Sequence, residues 1–310
     1  METQIGHKDI ERFSAAFDAD PKNLLALNAV TKNGIHAVAL SREATNRAQH
    51  TYSHLIDTPE ATNQKSSGRC WLFAGLNNLR LAAREKMNLE QFELSQTYLM
   101  FWDKLEKANF ILENIIETRD EPLNGRLVMW LLTSPVQDGG QWDMFVNLVK
   151  KYGVVPKSVM PETYSSSNSR AMNTLLTAKL RECAWELREM HKQGASVEKM
   201  RASKGMMVET LYRMISIHLG QPPVRFNWAW RDKDKAYHQQ GNITPQEFFK
   251  TSVDVDLDDM VCLINAPTED KPYNKLYTIQ YLGNVVDGQI IRYLNVSIEA
   301  LKKATADMIV

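Results

Sequence analysis

Apolar residues recur along this chain with two different periods. Leu72, Leu76, Leu79 and Ala83 are spaced by four, three and four, which places them on one face of an α-helix and predicts a helix over Cys70 to Lys86. Ser95-Gln96-Thr97-Tyr98 is an N-cap signal for a second helix to Glu117, whose Tyr98, Phe101, Trp102, Leu105 and Phe110 read as core. Paired glycines, Gly139 and Gly140, precede a third helix over Trp142 to Tyr152. The first 60 residues read as a polar, partly helical lead-in, with a helix starting at Asp20-Pro21 and carrying Leu24, Leu27 and Val30 on one side.

After a serine-rich stretch from Tyr164 to Ser169, read as a loop, Leu175 to Leu219 predicts two long helices broken near Gly194-Ala195-Ser196. The arginines between 181 and 213 are expected on a solvated face of these helices. Beyond Pro245 the pattern turns to strands. Leu276 to Leu282 and Gln289 to Val296 flank Val285-Val286-Asp287-Gly288, and Asp-Gly is a favoured hairpin turn. A last amphipathic segment, Ser297 to Val310, keeps Ile298, Leu301 and Met308 roughly on one side and carries no helix stop.

Composition narrows the function classes. The 310 residues carry 37 basic and 37 acidic side chains, so no global field recommends nucleic acid or an anionic membrane as a partner. The start has no apolar core of signal-peptide length, and the run Leu127 to Leu132 is far too short to cross a bilayer. Cys70, Cys183 and Cys262 are widely spaced and form no Cys-x-x-Cys pair, so neither a disulfide framework nor a zinc site is expected. A reducing, cytoplasmic location follows as the expectation. His50 and His54 share an i, i+4 spacing but have no third ligand spaced to join them. Ser196-Val197-Glu198-Lys199 fits Ser-x-x-Lys without its companion motifs.

The chemistry concentrates in Asn63-Gln64-Lys65-Ser66-Ser67-Gly68-Arg69-Cys70-Trp71. The turn through Gly68 sets Cys70 at a helix N-terminus, where unpaired N–H groups and the macrodipole favour an anion. A free cysteine titrates at about 8.5, and such a position beside a cation lowers that value. Gln64, six residues upstream, is placed to aim its amide at an oxygen that the Cys70 N–H also reaches. Two donors converging on a developing oxyanion is the arrangement of thiol acyl transfer.

This segment resembles the nucleophile segment of papain-like cysteine peptidases, in particular the bleomycin hydrolase and aminopeptidase C branch. Thr31-Lys32-Asn33-Gly34, Phe101-Trp102-Asp103-Lys104, Asp138-Gly139-Gly140-Gln141-Trp142-Asp143, Tyr152-Gly153-Val154-Val155-Pro156-Lys157 and Asn265-Ala266-Pro267-Thr268 extend the resemblance along essentially the whole chain. It implies an α+β, papain-like fold: a lead-in and helical half over 1–165, a helical insertion over 166–245, and the start of a β-rich half over 246–310. It implies catalysis by Cys70 and Gln64, a substrate cleft lined by Gly139 and Gly140, peptide substrates, no metal or organic cofactor, and a homo-hexamer. The family's histidine and asparagine motifs, Thr-His-Ala and Asn-Ser-Trp-Gly, do not occur here. The chain therefore reads as lacking the C-terminal third, with the general base expected beyond residue 310. His218 has the papain-type spacing of about 130–150 residues from the cysteine, but it shares a helical face with Leu211 and Met214 and is read as a packing or surface residue. The function expected is a thiol aminopeptidase working through a Cys70 thioester. The alternative is a non-catalytic fragment that keeps peptide-binding or assembly surfaces.

Overall fold

The computed structural model describes residues 4–49, 51–55 and 58–308. The chain forms two compact units, residues 1–55 and 56–310. His50 lies outside the described residues, and no cluster of three or more metal-ligating side chains occurs among those described.

The first unit holds four helices: α1 (His7–Asp18), α2 (Pro21–Asn33), α3 (Ile35–Ala39) and α4 (Arg42–Arg47). Asp20 accepts from the Lys22 N–H at the start of α2, and Pro21, which has no N–H to leave unpaired, takes the first helical position. None of the four helices buries a residue.

The second unit is built around α6 (Gln96–Glu117), which follows α5 (Cys70–Lys86). Leu72, Leu76, Leu79 and Ala83 of α5 are all buried, so the apolar spacing reports the face that meets α6 and α8 (Trp142–Tyr152). Ser95 accepts from the Tyr98 N–H, which stops α6 at its expected start. A short α7 (Arg126–Thr133) follows α6. After α9 (Tyr164–Ser167), α10 (Arg170–Lys192) and α11 (Val197–Leu219) pack on each other and on α6. Phe101 meets Tyr212 edge-on, and Trp102 stacks on Tyr152 with ring centroids 3.9 Å apart. No helix among the described residues is long and apolar enough to cross a membrane.

Strands begin earlier than Pro245. β1 (Phe226–Arg231) and β2 (Tyr237–Ile243) form an antiparallel hairpin. Phe226, Trp228 and Trp230 alternate with Asn227, Ala229 and Arg231, a legible strand pattern, but β2 is almost wholly polar and gives no matching signal. α12 (Pro245–Phe248) and a π-helical turn (Phe249–Val253) then lead to a three-stranded sheet. In it β5 (Tyr293–Asn295) pairs parallel with β3 (Leu263–Ile264) and antiparallel with β4 (Lys275–Tyr277), and α13 (Ile298–Asp307) follows.

The tight hairpin expected at Asp287-Gly288 is not formed. The strands are short and the connection runs from 278 to 292. Asn147 of α8 supplies the reason: its side chain accepts from the Gln289 N–H at 2.8 Å and donates to the Gln289 carbonyl at 2.9 Å. The backbone groups that a hairpin ladder would pair are taken by a helix side chain. The Tyr164 to Ser169 stretch, expected as a loop, contains α9, held by reciprocal capping between Thr163 and Ser166. α13 fully buries no residue, Leu301 is only half-buried and Met308 is exposed, so the expected amphipathic face is left largely uncovered by the described residues.

Two glycines with left-handed backbone give a test of packing. Gly153 ends α8 at φ 71°, and a Cβ there would lie 2.3 Å from the Pro245 carbonyl. Gly194 has φ 80° but open space around it. Gly153→Ala is expected to destabilise the protein by about 2–4 kcal/mol, adding overlap to backbone strain, and Gly194→Ala by only about 1 kcal/mol. Urea denaturation of the two variants measures the difference; equal losses would show that the Pro245 contact yields freely.

Candidate active site

Cys70 is the first residue of α5, and the capping residue, Arg69, makes no side-chain cap bond. The first-turn N–H groups therefore remain open beside an exposed thiol whose Sγ lies 4.0 Å from the Gly68 carbonyl. Arg69 is turned inward instead. It is 1% exposed and forms a bidentate pair with Glu162 at 2.9 and 2.8 Å, while its Nε donates to Ser67 Oγ. Burial alone would raise the Glu162 carboxyl, but Arg69, Ser166 and Thr97 together hold it below the usual carboxylate range. The loop before Cys70 is thus tied to α6 and α9 from beneath, and the Ser66 N–H donates to the Ser167 carbonyl at 2.9 Å.

Asp138 holds the loop from the other side. Its Oδ2 accepts from the Gly68 N–H at 2.9 Å and from Ser169 at 2.5 Å, and its Oδ1 from Lys104 and Asn173, each at 2.7 Å. Burial opposes the charge, yet Lys104, Ser169 and Gly68 hold the Asp138 carboxyl far below its ordinary range. Lys104 has no exposed surface; burial pulls its ammonium down to about 8 against the attraction of Asp138. The Asp138 carbonyl accepts from Trp71 Nε1 at 2.6 Å. Lys107 donates to the carbonyls of Gln137 and Gly139 at 2.9 and 2.6 Å and to Asp103 at 2.7 Å. Burial pushes the Asp103 carboxyl up, against Lys107 and Lys104.

A cavity of about 450 Å³ opens at Cys70, with Gly139 and Gly140 on its rim and Met144, Leu131 and Leu282 among its apolar lining. A Cβ on Gly140 would lie 2.5 Å from the Trp71 ring, whereas one on Gly139 would meet nothing. Of the four residues singled out from sequence, Cys70, Gly139 and Gly140 share this cavity. Gln64 does not line it: it is half-buried in the turn, its carbonyl accepts from Ser67 Oγ, and its side-chain amide has no hydrogen bond among the described residues. A second cavity of about 690 Å³ lies along the Lys65–Gly68 loop and meets the first at Ser134 and Gln137.

No described histidine lines the Cys70 cavity. His218 Nδ1 pairs with Ser165 Oγ at 2.9 Å, His191 with Asp120, His238 with Asp232, and His54 with Ser53. Sequence reasoning missed the supporting charges Arg69, Lys104, Lys107 and Glu162. For the two lysines a signal existed, since both fall on an apolar helix that offers them no water.

Residues 4–310 match the Peptidase C1-like family. The chain is 47% identical over 309 residues to aminopeptidase C of Listeria innocua, covering all of this chain and 69% of that one. It is 45% identical over 295 residues to human bleomycin hydrolase, covering 93% of this chain and 65% of that one. A crystal structure of PepW from Lactobacillus rhamnosis superposes with a TM-score of 0.96 at 45% identity, covering the whole of this chain and 69% of the other.

The depressed carboxyls set a pH dependence. A group whose folded pKa lies below its unfolded value contributes fully above the ordinary carboxylate range and loses that contribution as pH falls below it. Asp138 and Glu162 are both of this kind, so the urea midpoint is expected to fall progressively from about pH 5 downward, most of the loss coming below the ordinary carboxylate values of about 4. Asp138→Asn should be less stable at pH 7 and show a shallower acid drop. An acid drop identical to that of the unsubstituted chain would show that Asp138 is not held as described.

Proposed function

The chain belongs to the Peptidase C1-like family and is by family a cysteine-type aminopeptidase of α+β, papain-like fold; from this premise we propose that it cleaves N-terminal residues from peptides through a thioester on Cys70. The observation that carries the reading is an exposed thiol at a helix N-terminus, opening on a cavity whose rim is the side-chain-free Gly139–Gly140 backbone. An extended peptide can lie along such a backbone as an added strand. The Cys70 sulfur attacks the scissile carbonyl, and negative charge moves to its oxygen. The Cys70 N–H donates to that oxygen; the Gln64 amide, outside the cavity lining and without a hydrogen-bond partner among the described residues, joins it only by swinging in from the turn. The C–N bond breaks as the amine leaves with the proton given up by the thiol, and water then hydrolyses the thioester to a carboxylic acid and the free thiol.

The second reading, peptide binding without efficient turnover, is favoured by the absence of a described histidine at the cavity. General acid–base catalysis contributes about 10²–10⁴ in rate. Residues 1–310 on their own are therefore expected to hydrolyse an aminoacyl-arylamide at least about 10²-fold more slowly than a form supplied with a histidine base. Comparable turnover, with Cys70→Ala as blank, would mean that a histidine of this chain reaches the thiol.

Thiol reactivity tests the site without needing turnover. Burial raises the Cys183 and Cys262 thiols, whereas Cys70 is exposed at a helix end. Brief iodoacetamide treatment near pH 7, mapped by mass spectrometry, should label Cys70 first by at least about tenfold. Equal labelling of the three would remove its special status.

A further inference from the structure

We propose that Asp138 is a positioning residue for the nucleophile: it grips the chain on both sides of Cys70 and sets where the thiol and its backbone N–H stand relative to the Gly139–Gly140 rim. The inference rests on the thiol-peptidase reading above. Its carboxylate holds residue 68 through the Gly68 N–H, and its carbonyl holds residue 71 through Trp71 Nε1. Cys70 lies between those two points. The next two residues after Asp138 are the rim itself, so a single residue spans the nucleophile and the surface on which a peptide would lie.

The grip leaves little freedom. Each carboxylate oxygen takes two donors, Lys104 and Asn173 on one and Gly68 and Ser169 on the other. These donors come from α6, from the start of α10 and from the loop, so rotating the carboxylate breaks bonds to all three. Lys107 pins the backbone of the same segment through the carbonyls of Gln137 and Gly139, on either side of Asp138. Both contacts to the nucleophile segment are close approaches that a side chain would block. A Cβ on Gly68 would lie 2.9 Å from the Asp138 Cβ, and one on Gly140 would lie 2.5 Å from the Trp71 ring.

An ion pair that serves only to join helices looks different here. Glu113 of α6 pairs with Arg201 and Lys204 of α11, a helix-to-helix pair. Asp138 joins a helix lysine to the peptide group two residues before the thiol. The bond from Gly68 is charge-assisted, which makes it short and directional. An asparagine at 138 would keep one acceptor oxygen for four donors and present an amide to at least two of them. The loop would then settle elsewhere, and a displacement of about 1 Å near reacting atoms costs on the order of 10²-fold in rate.

The test compares two electrophiles on Cys70. Iodoacetamide reads the thiol alone. An aminoacyl chloromethyl ketone with a free amino group must also seat on the rim and place its carbonyl oxygen at the Cys70 N–H. Asp138→Asn is expected to slow the chloromethyl ketone by about 10–10²-fold while changing the iodoacetamide rate by less than about threefold. Glu113→Gln, which breaks a buried ion pair elsewhere, should leave the ratio of the two rates unchanged. If Asp138→Asn does not fold by circular dichroism, the double variant Ser169→Ala/Asn173→Ala removes one donor from each oxygen and should shift the ratio in the same direction. Equal slowing of both reagents, or no change in either, overturns the positioning role. Failure of the unsubstituted chain to label preferentially at Cys70 overturns the peptidase reading instead, so the two failures are distinct.

Discussion

A charge taken out of water must be neutralised nearby, and α6 imposes that constraint on the whole second unit. The helix is buried around nearly its whole circumference, yet Asp103, Lys104, Glu106, Lys107 and Glu113 all lie within it. Leaving any of them unpaired would cost several kcal/mol. Each therefore dictates a partner in the segment packed against it. Lys104 and Lys107 call for the carboxylate and carbonyls of residues 136–139. Glu106 calls for Lys151 and Tyr152 at the end of α8, and Glu113 for Arg201 and Lys204 of α11. Asp103 draws Asn284 from the long connection between β4 and β5. The site is one sector of this ring of obligations.

Apolar periodicity made the helices legible because their buried faces are continuous. α5, α8 and the pair α10–α11 follow their hydrophobic spacing closely, and caps at Ser95 and Asp20 mark two of the starts. The nucleophile helix was readable because a turn followed by an apolar helical spacing fixes its start, whereas the paired glycines read locally only as a helix-start turn and were tied to a cleft by the family resemblance. The β-rich part was harder. Its strands are two to seven residues long, β2 is polar, and Asn147 replaces a hairpin ladder with side-chain bonds. No local pattern announces a partner contributed by a helix 142 residues away.

The supporting charges escaped for a similar reason. Arg69 stands next to Cys70 in the sequence, but the fold points its side chain away into Glu162. Its task is to anchor the loop from below, while the open helix end faces the cavity. The distinction is one of side-chain direction, which spacing along the chain does not record. Gln64 shows the opposite case: its backbone position in the turn is as expected, and its side chain is the unanchored member of the group.

The Lys104–Asp138 pair also constrains how such a chain can drift. Replacing either partner alone leaves the other's buried charge without its counter-ion, and with Asp138 gone the Gly68 N–H loses its acceptor as well. Residues 104 and 138, 34 positions apart in the chain, thus behave as one unit: a change at either one is compensated only by a change at the other.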